Sequence, residues 1–415
     1  MLAKYNLRVI ICLLKLTICL VLVFLAFSGF GQEFLLKRNQ QKQSIAFKCI
    51  KNLMIIPVYV NGKGPYDFVL DTGVGPMIIT DPSVIDSLNF GKLRKIKVSG
   101  LGLESVDAYV SQSLDVKVGS ASIKYIPAAI LKEDLFNLSG HLGLKIYGLL
   151  GFSFFNSFIV DIRYSENRLI VYDRGAKIKY RGKKIPIEIE NQKPYVLTTI
   201  DVPDGKTVEA RFLMDTGASH ALSLEMLNGT AFPLPDKKIK ANLGMSLSGQ
   251  IKGYVGRVNR FNIGGHVFQN VVAGFPDFKR IAAKIDLSKR NGNIGADLLR
   301  KFNIQFNYQD GFIYVKSNRF RKIPFEHDMA GMVLYLDQKA YKRVMIGEID
   351  ENSPAEKAGL YSDDEIIGVN FKSIDGYYLN DLNEMFKSKA GSNIILEIFR
   401  NNQVYFKVVR LEKRI

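Results

Sequence analysis

The feature that most constrains the fold is an internal repeat. The segment FVLDTG at residues 68–73 returns as FLMDTG at 212–217, and GLLG at 148–151 returns as GNIG at 292–295. Both pairs of segments are 144 residues apart. A fixed offset between two landmarks indicates tandem copies of one structural unit. The chain of 415 residues is therefore expected to contain two related lobes and at least one further domain, because one core rarely organises so many residues.

Both copies are predicted to be rich in β-strands. Their apolar residues alternate or form short runs punctuated by glycine, which is typical of strands. The predicted strands include residues 53–60, 66–70, 197–202 and 312–315, and helical signal is confined to residues 153–155 and 297–302. A basic stretch at 178–184 separates the copies, and a polar, basic stretch at 316–327 follows the second. These boundaries predict lobe 1 at residues 32–177 and lobe 2 at residues 178–318.

The repeated Asp-Thr-Gly is the motif with the clearest chemical content. One copy alone is better explained as a turn, since aspartate starts turns and glycine supplies a positive φ. Here the motif occurs twice, at Asp71 and Asp215, each time after an apolar strand and 80 residues before the final glycine of the second landmark. Two copies in matched contexts favour a functional role for both aspartates.

With these motifs, residues 45–318 resemble the aspartic peptidases of the retropepsin-like and pepsin-like type. In that family each lobe contributes one Asp-Thr-Gly loop, and the segments Leu149-Leu150-Gly151 and Asn293-Ile294-Gly295 are similar to its hydrophobic-hydrophobic-Gly element. The resemblance implies a mainly β fold, a bilobal pair of β barrels related by a pseudo-twofold axis. It also implies that Asp71 and Asp215 are the catalytic residues. Retroviral relatives reach this state by dimerising, whereas this chain carries both halves of the catalytic unit.

The resemblance implies catalysis by two carboxyl groups and a water molecule. Two neighbouring carboxylates cannot both ionise cheaply, so they share one proton and titrate as a unit. The ionised group then takes a proton from water while the protonated group donates to the scissile carbonyl. No metal, cofactor or covalent intermediate is needed, and the expected partner at the site is a peptide or protein substrate. In the family, the threonines corresponding to Thr72 and Thr216 bond to the opposing loop, while Gly73 and Gly217 permit its close approach.

The sequence departs from the family pattern directly after both motifs. The family often has Ser or Thr there, whose hydroxyl stabilises the ionised carboxylate, but this chain has Val74 and Ala218. Without those donors the pKa of the pair is expected to rise, which predicts a pH optimum nearer neutral than strongly acidic pH. Gly75 and Pro76 also replace the commoner small polar pair in the first copy.

Two glycine-rich segments are candidates for hairpin flaps that cover the substrate. In lobe 1 the candidate residues are Gly100, Leu101 and Gly102, and in lobe 2 they are Met245 and Ser246. Each segment has an apolar tip between predicted strands, as a closing hairpin requires. The alternative is an ordinary surface hairpin, and the sequence leaves both readings open.

Other chemistries find little support in the sequence. The four histidines, His141, His220, His266 and His327, lack metal-ligand spacing, and Cys49 has no convincing partner histidine. The net charge of +17 suggests nucleic acid, but the lysines and arginines are scattered and no nucleic-acid-binding motif accompanies them. We therefore expect no metal site and no nucleic-acid partner.

The C-terminal residues 325–415 form a third unit with a different pattern. The string SPAEKAGL at 353–360 predicts a short helix capped by serine and ended by glycine. A strand at 364–370, a helix at 379–386 and a hairpin of residues 394–400 and 405–411 are predicted to follow. This pattern resembles a bacterial PDZ domain. The resemblance implies that a C-terminal peptide adds a strand beside the helix, with its carboxylate bound by Gly331, Met332 and Val333. A docking or spacer role is the alternative.

Residues 1–31 predict export. Lys4 and Arg8 precede an apolar run of 12 residues at 16–27, followed by small residues, as in a cleaved signal peptide. The competing interpretation is an uncleaved membrane anchor, which would have to tolerate Lys15. The predicted location is the periplasm, either free or anchored to the membrane.

Together these features predict an exported aspartic endopeptidase whose PDZ domain recruits substrates or partners. A non-catalytic peptide-binding protein that retains the protease fold is the alternative from another functional class.

Overall fold

The computed structural model describes residues 33–85, 93–99, 105–134, 137–246, 249–281, 290–337 and 342–415. Residues 34–415 belong to one structural unit. The predicted leader, residues 1–31, and the flap residues Gly100, Leu101 and Gly102 lie outside the described residues. No helix among the described residues has the length and apolar character needed to cross a membrane.

Lobe 1 is built on one eight-stranded sheet. The strands follow one another in the order β2-β3-β4-β9-β5-β8-β7-β6, and an extra pairing of β3 with β7 curls the sheet on itself. Its elements are β1 (Lys42–Ala46), β2 (Lys48–Ile50), β3 (Leu53–Val60), β4 (Lys63–Leu70), β5 (Met77–Ile79), β6 (Arg94–Ser99), β7 (Ser105–Val118), β8 (Ala121–Leu131), α1 (Leu138–Leu142), β9 (Gly148–Leu150), α2 (Phe152–Ser157), β10 (Ile159–Arg163) and β11 (Arg168–Tyr172).

Lobe 2 repeats this topology strand for strand. Its eight-stranded sheet has the order β13-β14-β15-β22-β16-β21-β20-β19, with β14 also paired to β20. Its elements are β12 (Lys183–Pro186), β13 (Glu188–Glu190), β14 (Lys193–Asp201), β15 (Thr207–Met214), β16 (Leu222–Leu224), β17 (Met226–Leu227), β18 (Thr230–Ala231), β19 (Lys238–Ser246), β20 (Gly249–Ile263), β21 (His266–Pro276), α3 (Phe278–Ile281), β22 (Gly292–Ile294), α4 (Ala296–Leu299), β23 (Phe302–Asn307) and β24 (Phe312–Ser317).

A six-stranded sheet joins the lobes. Its order is β1-β11-β10-β23-β24-β12, so each lobe contributes three strands and the central β10–β23 pair crosses the boundary. One hydrophobic core runs through both lobes and includes Phe155 and Phe306, whose rings lie 5.4 Å apart. The lobes are therefore fixed to each other by both main-chain pairing and side-chain packing.

Strand β3 shows why the sequence folds this way locally. Its residues are apolar at both odd and even positions, which is the pattern of a strand buried on both faces. Met54 and Ile56 enter the large core, whereas Leu53 and Ile55 enter a second cluster on the opposite face. The sheet of lobe 1 is thus covered on two sides.

The third domain follows with its own sheet and core. Its main strand order is β25-β26-β27-β29-β30, with β28 paired to β27, and a separate apolar cluster fills its interior. The elements are β25 (Met332–Asp337), β26 (Arg343–Ile349), α5 (Pro354–Lys357), β27 (Glu365–Val369), β28 (Lys372–Ser373), α6 (Leu379–Met385), β29 (Asn393–Arg400) and β30 (Gln403–Arg410). Short 3-10 helices occur at Pro82–Val84, Tyr164–Glu166, Arg319–Lys322 and Ile374–Gly376.

The predicted mainly β, bilobal architecture with an additional C-terminal sheet is confirmed. Two local predictions were wrong. The helix predicted at 297–302 ends at Leu299, because Phe302 starts a strand of the joining sheet. The basic stretch at 178–184 does not only separate the two copies. Its last residues, Lys183 and Lys184, begin strand β12 and pair with β24.

Candidate active site

Each Asp-Thr-Gly loop leaves the end of a strand that is paired in parallel with a short neighbour. Strand β4 pairs with β9, and β15 pairs with β22. The Asp71 N–H donates to the Leu150 carbonyl and the Asp215 N–H to the Ile294 carbonyl, both at 2.9 Å. The second landmark of the repeat therefore supports the first: it holds the loop that carries the aspartate.

The threonines of the two loops bond across the lobe boundary. The Thr72 N–H donates to Thr216 Oγ1 and the Thr216 N–H to Thr72 Oγ1, both at 3.0 Å. Each hydroxyl then donates onward to the opposing strand, Thr72 to the Met214 carbonyl at 2.6 Å and Thr216 to the Leu70 carbonyl at 2.9 Å. Both threonines are fully buried, so these bonds fix the relative position of the two loops.

This arrangement brings Asp71 and Asp215 together, close enough for the charge on one carboxyl group to act on the other. The Gly73 N–H donates to Asp71 Oδ1 at 2.6 Å and the Gly217 N–H to Asp215 Oδ1 at 3.0 Å. A Cβ at Gly73 would lie 3.0 Å from Asp215 Oδ1, and one at Gly217 would overlap the Asp71 carboxyl. Both glycines are needed because the opposing carboxylate occupies the space of a side chain.

Burial is the main reason that the pKa of Asp71 lies well above its usual range. The neighbouring Asp215 charge raises this pKa further, while the Gly73 N–H and Lys193 act in the opposite direction. Asp71 is 6% exposed, whereas Asp215 is only partly buried. One carboxyl can therefore be protonated and act as the general acid, while the other is ionised and acts as the general base.

The site also contains charged groups that sequence reasoning missed. Lys193, the first residue of β14, interacts electrostatically with both aspartates, and burial lowers the pKa of its ammonium group. Deeper in lobe 2, the buried Arg290 makes a two-point ion pair with Glu225 at 2.8 and 2.9 Å. Neither residue lies in a repeated motif, so the sequence carried no signal for them.

A polar relay on Asp215 was also missed. Asn293 Nδ2 donates to Asp215 Oδ2 at 3.0 Å, and Asn293 Oδ1 lies 2.8 Å from His220 Nε2. The sequence offered one clue, because a buried polar Asn293 stands where the first copy has the apolar Leu149. Ala218 has no hydroxyl to donate to Asp215. Asn293, in strand β22, donates a hydrogen bond to that carboxylate instead.

The predicted lobe 2 flap forms part of a long hairpin. Strands β19 and β20 pair as far as Ser246 and Gly249, and the Ser246 hydroxyl donates to the Gly249 carbonyl at 3.1 Å. Met245 packs against the second apolar cluster, which contains mainly lobe 1 residues. The cluster also includes Ala296 of lobe 2, so the hairpin packs where the two lobes meet. In lobe 1 the corresponding strands β6 and β7 pair up to Ser99 and Ser105.

The residues predicted to bind a peptide carboxylate lie at the start of β25. Met332 and Val333 pair with β26, while the Gly331 N–H donates to the side chain of Asp328. Helix α1 of lobe 1 packs against β25, and the turn after it reaches α6, where a Cβ at Gly143 would lie 2.7 Å from Leu379 Cβ. Lobe 1 thus contacts both elements that would form the walls of a peptide groove.

The histidines weighed as metal ligands lie in different parts of the described structure. Within the described ranges, no three His, Cys, Asp or Glu side chains come together in a way that could hold a metal ion. His141 faces Tyr335 across the contact between lobe 1 and the third domain, with ring centroids 6.2 Å apart. His266 packs on Phe302, with ring centroids 5.1 Å apart, and His327 is half-buried.

Comparisons with known proteins found three kinds of similarity. Residues 56–154 and 198–298 match the family model described as aspartyl protease, one segment in each lobe. The crystal structure of aspartic proteinase from Irpex lacteus is similar over 68% of this chain and 99% of that chain, at 12% identity and a TM-score of 0.44. The serine protease Do-like HtrA of Bacillus subtilis (strain 168) is 32% identical over 123 residues, which are 29% of this chain and 26% of that protein. This chain thus spans about a quarter of that relative, and the match suggests a PDZ-like C-terminal region.

Proposed function

Because its two lobes belong to the aspartyl protease family, we propose that this chain is an exported aspartic endopeptidase. The observation that carries the proposal is the close pair of Asp71 and Asp215, whose loops are held together by the crossed bonds of Thr72 and Thr216. Cross-bonded threonines bring two carboxyls from different lobes to one point, and a purely structural pair of turns would not require this. The pair is built from residues of one chain, so dimerisation is not needed to complete it.

The reaction proceeds by general acid–base catalysis on a bound water. The ionised carboxylate takes a proton from water, the water oxygen adds to the scissile carbonyl carbon, and the protonated carboxyl donates its proton to the carbonyl oxygen. In the second step the carboxyl that took the proton from water gives it to the amide nitrogen, and the carbon–nitrogen bond breaks. The other, now ionised, carboxylate takes a hydroxyl proton from the intermediate, so the pair again holds one proton. No electron acceptor or covalent enzyme intermediate is involved.

The substrate is a peptide held in extended form between the aspartate loops and the lobe 2 hairpin. Met245 near the tip of this hairpin is apolar and only partly buried. An apolar side chain in this position favours substrates with apolar residues beside the scissile bond. Lys193 adds a positive charge near the carboxylates, which favours a substrate whose polar groups accept hydrogen bonds.

The third domain contributes recognition of peptides or partner proteins. A PDZ-like domain binds an extended peptide along the edge of the strand corresponding to β25. In this chain such a peptide has to displace helix α1 and the turn at Gly143, which contact β25 and α6. Binding at this groove therefore competes with docking of the third domain on lobe 1.

Export follows from the predicted leader at residues 1–31. Expression in a bacterium, followed by fractionation and determination of the N-terminus of the recovered protein, tests this part. A protein that starts near residue 32 in the periplasmic fraction supports cleavage. Full-length protein in the membrane fraction favours an anchor, and recovery from the cytoplasm contradicts export.

The decisive experiment compares wild type, Asp215→Asn and Asp204→Asn on a proteome-derived peptide pool. Asp204 is exposed in a turn of lobe 2, so its replacement controls for the loss of a carboxylate without touching the site. We expect cleavage by wild type and by Asp204→Asn, and loss of at least a thousandfold in Asp215→Asn, since one half of the acid–base pair is removed. Equal cleavage by all three proteins contradicts the mechanism. Binding of peptides without cleavage by wild type favours the non-catalytic alternative.

A further inference from the structure

The two carboxyl groups do not have equivalent surroundings, although the repeat places them symmetrically. Asp215 Oδ2 accepts a hydrogen bond from Asn293 Nδ2 at 3.0 Å, in addition to the Gly217 N–H on Oδ1. At the matching positions of lobe 1, the chain has Leu149 in place of Asn293 and Pro76 in place of His220. Neither of these side chains has a polar hydrogen to donate.

The direction of the hydrogen bonds in the relay follows from its chemistry. A carboxylate oxygen accepts hydrogen bonds, and in the structure the amide nitrogen of Asn293 faces Asp215 Oδ2 while its amide oxygen faces His220 Nε2. Since that oxygen also only accepts, His220 Nε2 must carry a proton and donate across the 2.8 Å contact. The relay is therefore arranged to supply a hydrogen to Asp215, and it suits the ionised form of that carboxyl.

The relay is rigidly held. Asn293 is 2% exposed and lies in β22, between β15 and β16. The main chain of His220 is also fixed, because its carbonyl accepts from the Asp297 N–H at 3.2 Å at the start of α4. A buried amide fixed at both ends gives Asp215 a preformed donor that does not need to reorganise.

Other charged groups near the pair have to be considered. Lys193 and Tyr195 lie on β14, Glu225 and Arg290 form an ion pair in lobe 2, and Tyr308 is buried near Asp71. Lys193 interacts with both carboxylates and therefore acts on both sides of the pair. Arg290 acts on Asp215, but Glu225 offsets much of its charge. The sharpest difference between the two sides is the direct donor from Asn293.

We propose that Asn293, oriented by His220, is a positioning residue that keeps Asp215 ionised and thereby assigns the general base to lobe 2 and the general acid to Asp71. This inference rests on the proposed peptidase function. A hydrogen bond to the charged form of a carboxyl stabilises that form, and deep burial of Asp71 favours its neutral form. Both effects bias the shared proton toward Asp71.

The experiment uses lobe 1 as the template for the variants. Asn293→Leu installs the residue found at the matching position of lobe 1, His220→Leu removes the donor to Asn293, and His220→Gln retains a donor. The acidic limb of the pH profile of kcat/KM reports the group that must be ionised. We expect Asn293→Leu to move this limb upward by about one pH unit, or about tenfold in kcat/KM on the acidic side. His220→Leu should move it in the same direction, and His220→Gln should remain near wild type.

A second measurement, of thermal stability, tests the proposal without depending on peptide cleavage. The Tm of wild type, Asn293→Leu, Asp215→Asn and the double variant is measured at pH 4 and pH 7. If Asn293 stabilises a charged Asp215, the loss of Tm in Asn293→Leu is larger at pH 7 than at pH 4 and is reduced in the Asp215→Asn background. If Asn293→Leu does not fold, His220→Leu replaces it in the cycle.

An equal loss of Tm at both pH values and in both backgrounds indicates packing alone and overturns the proposal. An unchanged acidic limb in Asn293→Leu and His220→Leu overturns it as well. If wild type cleaves no peptide, the endopeptidase proposal fails, while the Tm cycle still reports whether Asn293 acts through the charge on Asp215.

Discussion

Glu348 of the third domain accepts a hydrogen bond from Asn242 of the lobe 2 hairpin, with 2.7 Å between Oε2 and Nδ2. The same oxygen accepts from Gln250 Nε2 at 2.8 Å, and the other carboxylate oxygen lies 3.3 Å from Lys252 Nζ. One carboxylate on β26 thus contacts both strands of the hairpin. Since helix α1 of lobe 1 packs on the adjacent β25, the third domain connects the hairpin to the opposite lobe.

Replacing Glu348 with Gln should loosen the lobe 2 hairpin. The variant removes the charge that attracts Lys252 and leaves one acceptor oxygen for Asn242 and Gln250. The carboxylate is partly exposed, so we expect a cost of about 1 kcal/mol, equivalent to roughly fivefold faster amide exchange in residues 242–252. Hydrogen exchange measured by mass spectrometry checks this.

Glu412→Gln serves as the matched control. Glu412 forms its ion pair at 3.0 Å with Lys357, inside the third domain, and not with the hairpin residues that bind Glu348. It should leave exchange in the hairpin unchanged. Equal exchange in the hairpin of wild type and Glu348→Gln would show that the contact does not restrain it.

Gly143→Ala should separate the third domain from lobe 1. The added Cβ would lie 2.7 Å from Leu379 Cβ on α6, and the φ of +70° already disfavours any side chain. Displacement of α6 should uncover β25, which we expect to raise the affinity of the full chain for a C-terminal peptide several-fold. Titration of a fluorescent peptide identified by library screening measures the change.

Gly205→Ala provides the control for backbone strain. Gly205 has a φ of +83° and no heavy atom within 4 Å of an added Cβ, so this variant introduces the strain without the contact. Its peptide affinity should equal that of wild type. If both variants behave alike, strain and not the contact with Leu379 explains the effect of Gly143→Ala.

The sequence predicts the aspartate pair well because the repeat is visible without any structure. Asp71 and Asp215 share a motif, a spacing and a preceding strand, and the symmetry of the fold then requires them to meet. Strand β3 is likewise predicted with both ends in the observed places, since an apolar run bounded by turn residues has few alternatives. Local pattern and global fold agree at these positions.

The asymmetric parts of the site could not be predicted in the same way. Lys193, Arg290 and the relay of Asn293 and His220 interact through pairings between segments far apart in sequence. No periodicity or spacing within one segment encodes such contacts. The docking of the third domain is similar, because Glu348 and Asn242 are 106 residues apart and each alone reads as an ordinary polar surface residue.

The crossed threonine bonds should be strongly coupled in energy. Thr72→Val and Thr216→Val each remove a hydroxyl that both accepts and donates in a fully buried place. Each single variant should cost about 2–3 kcal/mol, because main-chain groups of the opposing loop lose their partners. The double variant should cost less than the sum of the two, which denaturant unfolding in a double-mutant cycle can measure.

Thr80→Val controls for the general cost of a buried hydroxyl. Thr80 is 1% exposed and donates to the Ile146 carbonyl at 3.3 Å, a bond made entirely within lobe 1. Its cost should add to that of Thr72→Val. Strict additivity between Thr72→Val and Thr216→Val would contradict a shared network.

The contact between lobe 1 and the third domain should weaken in acid. Burial, with a smaller contribution from Lys51, lowers the pKa of His141 to about 4. An unfolded histidine titrates near 6.5. The folded contact thus binds its proton less readily than the free side chain, and the stability that neutral His141 contributes is present above about pH 6.5 and is lost as pH falls toward 4.

Amide exchange in β25, corrected for the intrinsic effect of pH, should therefore rise between pH 7 and pH 5 by at most about tenfold per pH unit. His141→Phe keeps a ring against Tyr335 but cannot take up a proton, so its exchange should stay flat over this range. The main-chain bond from the Lys51 N–H to Asn380 Oδ1, at 3.1 Å, does not titrate and is common to both proteins. A rise of the same size in His141→Phe would assign the acid sensitivity to another group.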